Sequence, residues 1–96
     1  MANYNTLTLE QIEDVYTRVL ETPNTVFVVE SSRGNVVWVE RLVWVSELDG
    51  ETREYVRIYN KHSNTGIVPE NLTFENFVSE VAGKANARIK QGKVIA

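Results

Sequence analysis

The chain has 96 residues, with 43% hydrophobic and 24% charged side chains and a net charge of -3, the composition of one soluble globular domain with no room for a second. With no cysteine, disulfides, a thiol nucleophile and thiolate metal ligands are excluded. The longest apolar runs, Val26–Val29, Val36–Val39 and Leu42–Val45, are far too short to span a membrane, and no basic, then apolar leader opens the chain, so a cytoplasmic location is expected.

In chain order the first element is a helix. Leu9, Ile12, Tyr16, Val19 and Leu20 recur at helical spacing. Thr8 is placed as N-cap with Gln11 reaching back to it, and Leu7 and Ile12 form a hydrophobic staple. Thr22-Pro23-Asn24 ends the helix, because proline disfavours helical geometry in the residue before it. Three strands follow, at about 25–31, 36–48 and 53–61, in a segment rich in β-branched valine. Ser32-Arg33-Gly34-Asn35 links the first pair. Asp49-Gly50 links the second, and reads as a two-residue type I′ turn. Asn60 to Asn71 is a polar loop. A second helix follows, with Thr73 as N-cap and Phe74, Phe77, Val78, Val81, Ala85 and Ile89 on one stripe. Gly83 inside it suggests a close approach to a neighbouring element. The expected fold is α+β: a two-layer α-β-β-β-α domain over residues 1–96, with a three-stranded antiparallel meander and both helices on one sheet face.

Register then sorts the side chains. A two-residue turn at Asp49-Gly50 sets Trp44 opposite Tyr55, Leu42 opposite Arg57, Glu40 opposite Tyr59 and Trp38 opposite Lys61, all on one face. Val37, Val39, Val43, Val45, Val56 and Ile58 take the other. An even-length first loop adds Val26 and Val28 to this aliphatic face and sends Phe27 and Val29 to the aromatic one. Two helices cannot cover both sides, so an aromatic face larger than a monomer ordinarily exposes is left open. A β-bulge at Glu40-Arg41 is the competing arrangement, because it would exchange the faces beyond it. Arg41, on the core side in the simple register, must snorkel, meet a helix carboxylate such as Glu13 or Asp14, or mark that bulge.

The chemistry-bearing residues are few. His62 is the only histidine, which leaves a transition metal almost nothing to bind, and no metal, cofactor or catalytic residue is expected. Glu47, Asp49, Glu51 and Glu54 make the second hairpin acidic, either as a solvated turn or as a docking site for a basic partner. Residues 81–96 carry Lys84, Arg88, Lys90 and Lys93 and no acid, which suits a helix C-terminus.

The expected function is non-enzymatic: a small module that binds a protein partner, or itself as a homodimer, through Phe27, Trp38, Leu42, Trp44, Tyr55, Arg57, Tyr59 and Lys61. Aromatic residues and arginine at the centre of a patch have the composition of an interaction hot spot. Small acidic domains without cysteine are frequent among inhibitors and accessory proteins of phages and mobile elements that act on a host enzyme, and this is the class expected. The alternative is a nucleotide or single-stranded nucleic acid on the same face, since Tyr55, Arg57, Tyr59 and Lys61 alternate aromatic and basic groups along one strand. No membrane partner is expected.

Overall fold

The computed structural model describes residues 4–90. It is a small α+β fold in the order β1 (Thr6–Thr8), α1 (Leu9–Glu21), β2 (Val26–Glu30), β3 (Val36–Val45), β4 (Thr52–Tyr59), β5 (Asn64–Ile67), a 3-10 turn (Pro69–Asn71), α2 (Phe74–Ala85) and β6 (Arg88–Lys90). The main sheet is an antiparallel meander of four strands, β2-β3-β4-β5, and not the expected three. β1 and β6 form a separate two-stranded parallel sheet. The extra strand β5 lies within the segment read from the sequence as a polar loop. Asn60 makes it possible: its Oδ1 accepts from the backbone N–H groups of His62 and Ser63, and its own N–H donates to the Ser63 carbonyl, which folds the chain back through Lys61-His62.

Both helices start as the residues dictate. The Thr8 hydroxyl accepts from the Gln11 N–H at 3.0 Å, and the Gln11 side chain accepts from the Thr8 N–H at 2.9 Å, a complete capping box. Thr73 caps α2 in the same way through the Asn76 N–H at 3.0 Å, while the Asn76 amide turns away to donate to the Asn71 carbonyl. The stripe of α2 ends earlier than expected, at Ala85. Asn86 takes the left-handed conformation at φ 52° and closes the helix, so Ile89 belongs to β6. Three asparagines from remote parts of the chain cover the last carbonyls of α2. Asn5 and Asn35 both donate to the Ala85 carbonyl at 2.8 Å, and Asn60 donates to that of Lys84 at 2.8 Å. Gly83 faces open space, with nothing within 4 Å of where a Cβ would sit, so the close approach expected there does not occur.

The core lies between the helices and one sheet face. Ile12 and Val19 of α1 and Phe77 and Val81 of α2 meet Val37, Val39, Val56 and Ile58, with Leu7 closing one end. Tyr16 joins the two helices, its ring packing at 5.2 Å on Phe74 and 4.9 Å on Phe77 between centroids. No helix among the described residues is long and apolar enough to cross a membrane.

Two of the expected registers shift. The second hairpin closes through four residues, Glu47 to Gly50, because only Gly50 of the Asp-Gly pair has positive φ (73°) and a type I′ turn needs both. Trp38 therefore pairs with Tyr59, Glu40 with Arg57, Leu42 with Tyr55 and Trp44 with Arg53. The slip is two residues, so every side chain keeps its face. The first hairpin moves by an odd step and does not keep them. Ser31 and Asn35 close a three-residue loop with Gly34 left-handed at φ 83°. Phe27 then pairs with Val39 and Val29 with Val37 on the core side, while Val26 and Val28 face outward beside Glu40 and Trp38.

Pairing with β4 runs unbroken through Glu40 and Arg41, and Glu40 also pairs with Val26 of β2, so the bulge is absent. Arg41 stays on the core face but meets no helix carboxylate. Its Nη1 pairs with Glu54 Oε2 at 2.5 Å and its Nε donates to the Val19 carbonyl at the end of α1. The far end of β3 outruns the helices. Val43 is only half-buried and Val45 is 63% exposed, so neither is the core residue expected.

Candidate interaction surface

The face of the sheet opposite the helices is arranged in rows set by the ladder. Val28, Trp38, Tyr59 and Asn64 lie level across the four strands, and Val26, Glu40, Arg57 and Gly66 form the next row. Leu42 and Tyr55 follow, then Trp44 and Arg53. Of the eight residues expected at the surface, six are there: Trp38, Leu42, Trp44, Tyr55, Arg57 and Tyr59. Phe27 is not, since it packs against the core. Lys61 is not part of the ladder either. β4 stops at Tyr59, and Lys61 occupies the turn beyond it. Its nearest link to the surface is a groove of about 500 Å³ that it lines with Trp38, His62 and Lys84.

The aromatic side chains hold one another in place. Trp38 stacks on Tyr59 with centroids 5.6 Å apart and planes 19° from parallel. Trp44 meets Tyr55 edge-on at 5.8 Å and 88°. The Arg57 guanidinium lies over the Tyr59 ring, 4.0 Å from its centroid, and its Nε donates to Asn64 Oδ1 at 3.0 Å. Gly66 sits under Tyr55, whose Cδ2 would come within 3.0 Å of a Cβ there, so the ring lies flat in the space a side chain would need. These contacts fix rotamers before any partner arrives, which lowers the ordering cost of binding.

The surface nonetheless stays open. Trp44 is 44% exposed, Val26 44% and Val28 54%, with no helix above them. Comparison with protein-family models, with curated proteins and with solved structures finds no match.

Charge on the face is sparse and specific. Glu40 and Arg57 are directly opposed on neighbouring strands, yet they make no ion pair. Arg57 turns to Tyr59 and Asn64, and the Glu40 carboxylate has no partner among the described residues. Arg53 is held by Asp49 across the hairpin, and Glu54 by Arg41. The acidic hairpin thus neutralises two of its four carboxylates internally, which weakens it as a docking site for a basic partner. His62 is exposed in the β4–β5 turn, where its backbone N–H serves the turn. Of the basic C-terminal group, Lys84 reaches Thr65 Oγ1 at 2.7 Å and Glu80 at 3.6 Å, while Lys93 lies outside the described residues.

Sequence reasoning missed Val26 and Val28 as members of this face. The signal for the valines was Gly34, third in a three-residue hairpin loop, the position where a left-handed residue is required.

Proposed function

We propose that this protein is a non-enzymatic binding module whose open sheet face is the contact surface for a protein. The observation that carries the reading is the uncovered aromatic lattice Trp38–Tyr59 and Trp44–Tyr55 on the side of the sheet away from both helices. Trp44 is exposed and Trp38, Tyr55 and Tyr59 are half-buried by one another; aromatic rings held in fixed rotamers with one side left to water are a feature of protein contact surfaces.

The chain has no cysteine, so a single introduced thiol carries a unique label. A photo-crosslinker on Leu42→Cys should yield adducts to protein, either a second copy or another chain, in cells that produce the protein. The same label on Glu10→Cys, on an exposed part of α1, should not. Equal yields from both positions, or no protein adduct from Leu42→Cys, would overturn the reading.

The second reading, a nucleotide or single-stranded nucleic acid, draws on the groove where Lys61, His62 and Lys84 stand beside Trp38. Against it stand Glu40 in the middle of the face, a net charge of -3 and a Lys84 ammonium already engaged. Titration of the tryptophan fluorescence with oligo(dT) or ATP at physiological salt should give no saturable change. Tight binding abolished by Lys61→Ala would put this reading first.

A further inference from the structure

Resting on that reading, we infer that the occupant of the face is a second copy of this chain, docked face to face about a two-fold axis running between β3 and β4. The inference starts from the sheet itself. Its order is β2-β3-β4-β5, so an axis lying in the interface, parallel to the strands and midway between β3 and β4, exchanges β3 with β4 and β2 with β5. The sheet maps onto itself with no strand left over. Because antiparallel partners sit level with each other, each residue of β3 then faces the other copy's equivalent of its own ladder partner.

The consequence for charge is specific. Glu40 of one copy faces Arg57 of the other, and Arg57 faces Glu40, so the operation makes two ion pairs at the centre of the contact. Within one chain the same two groups stand opposed without pairing. The Glu40 carboxylate has no partner among the described residues, and the Nη nitrogens of Arg57 make no hydrogen bond there. The other rows are complementary as well. Trp38 comes over a Tyr59 ring, Leu42 over Tyr55, and Val26 over the strip where Gly66 presents no side chain. Aligned sheet packing accommodates the arrangement, since sheets stack about 10 Å apart with strands inclined by about 30°.

Area is consistent with a dimer of modest affinity. Four strands at about 4.8 Å and six residue steps at about 3.4 Å give a footprint of roughly 400 Å² per copy before side-chain relief. With relief the pair hides on the order of 1,000–1,200 Å², the lower edge for a specific interface, so dissociation at about micromolar concentration is expected.

The test exploits the exchange. Glu40→Arg alone sets arginine against arginine twice, and Arg57→Glu alone sets glutamate against glutamate twice. In sedimentation velocity each variant should run as a monomer at concentrations where the wild type is a dimer, with affinity weakened about a hundredfold or more. An equimolar mixture of the two should form a heterodimer again. The arginine introduced at position 40 of one chain then faces the glutamate introduced at position 57 of the other, and the native Arg57 of the first faces the native Glu40 of the second. Restoration by mixing also shows that both variants are folded. A wild type that stays monomeric to millimolar concentration, single variants that dimerise like the wild type, or a mixture that stays monomeric would each overturn the proposal. Should the Leu42→Cys label mark a different protein while the wild type is monomeric, the second-copy assignment falls and the binding face stands.

Discussion

Gly66 and Gly83 present alanine with opposite surroundings, and substituting each tests the packing of the open face against that of the helix. At Gly83 nothing lies within 4 Å of a new Cβ, and the residue is in α2. Alanine there removes backbone entropy from the unfolded chain and should stabilise the protein by about 1 kcal/mol. At Gly66 the new methyl would sit 3.0 Å from Tyr55 Cδ2 and 3.2 Å from Cε2. The intrinsic gain of about 0.5–1 kcal/mol is then opposed by an overpacking cost of about 1–3 kcal/mol, because the ring must withdraw by a few tenths of an ångström from its edge-on contact with Trp44. The net expectation is a loss of about 1 kcal/mol, so the two variants should differ by about 2 kcal/mol, or roughly 10 °C in Tm for a domain of this size. Urea and thermal unfolding at two protein concentrations separate these changes from any effect on association. If Gly66→Ala stabilises as much as Gly83→Ala, the Tyr55 ring does not rest on Gly66 and the fixed aromatic lattice is wrong.

Trp44→Ala should cost about 1 kcal/mol of monomer stability, because the indole leaves an open surface and no cavity, whereas Ile58→Ala, at 0% exposure, should cost about 2–5 kcal/mol in dilute urea titrations. Thr8→Ala removes the hydroxyl that accepts from the Gln11 N–H while leaving the Thr8 backbone N–H to the Gln11 side chain, and should lower stability by about 1 kcal/mol, with far-UV circular dichroism unchanged at low temperature. Asn24 donates to the Val43 carbonyl and accepts from its N–H while at φ 57°. Asn24→Gly keeps the backbone freedom but loses both bonds, so amide exchange at Val43 should accelerate about tenfold and stability fall by about 1 kcal/mol.

The parts of this fold legible in the sequence are those governed by local rules. The N-caps at Thr8 and Thr73 needed only three-residue spacing. The faces of β3 and β4 were readable although the turn type was not, because a slip of two residues leaves a period of two intact. β2 was misassigned by one residue of loop length, which was enough to exchange Phe27 with Val28. β5 carries no apolar run, with Asn64, Thr65 and Gly66 before Ile67, and becomes a strand only because the Asn60 turn delivers it to the edge of β4. Glu54 as the partner of Arg41 followed from the true register, which sets it opposite Val43, diagonally beside the arginine, where the expected one set it opposite Val45. The pairing of β1 with β6 joins the two ends of the described chain, and no local pattern announces so distant a contact.

The asparagine cover on α2 bears on the order in which the molecule can assemble. Asn5, Asn35 and Asn60 reach the carbonyls of Ala85 and Lys84 across 80, 50 and 24 positions of chain. Each bond forms only once its own segment, the first strand, the β2–β3 hairpin or the β4–β5 turn, has reached the C-terminal end of α2, so the complete set, and with it the closing of this end, belongs late in folding, after the local hairpins. Once closed, it links segments that would otherwise open independently. Fraying of the last turn of α2 then requires loosening three other parts of the chain at once, and slow exchange should extend from the core strands to the backbone around Ala85.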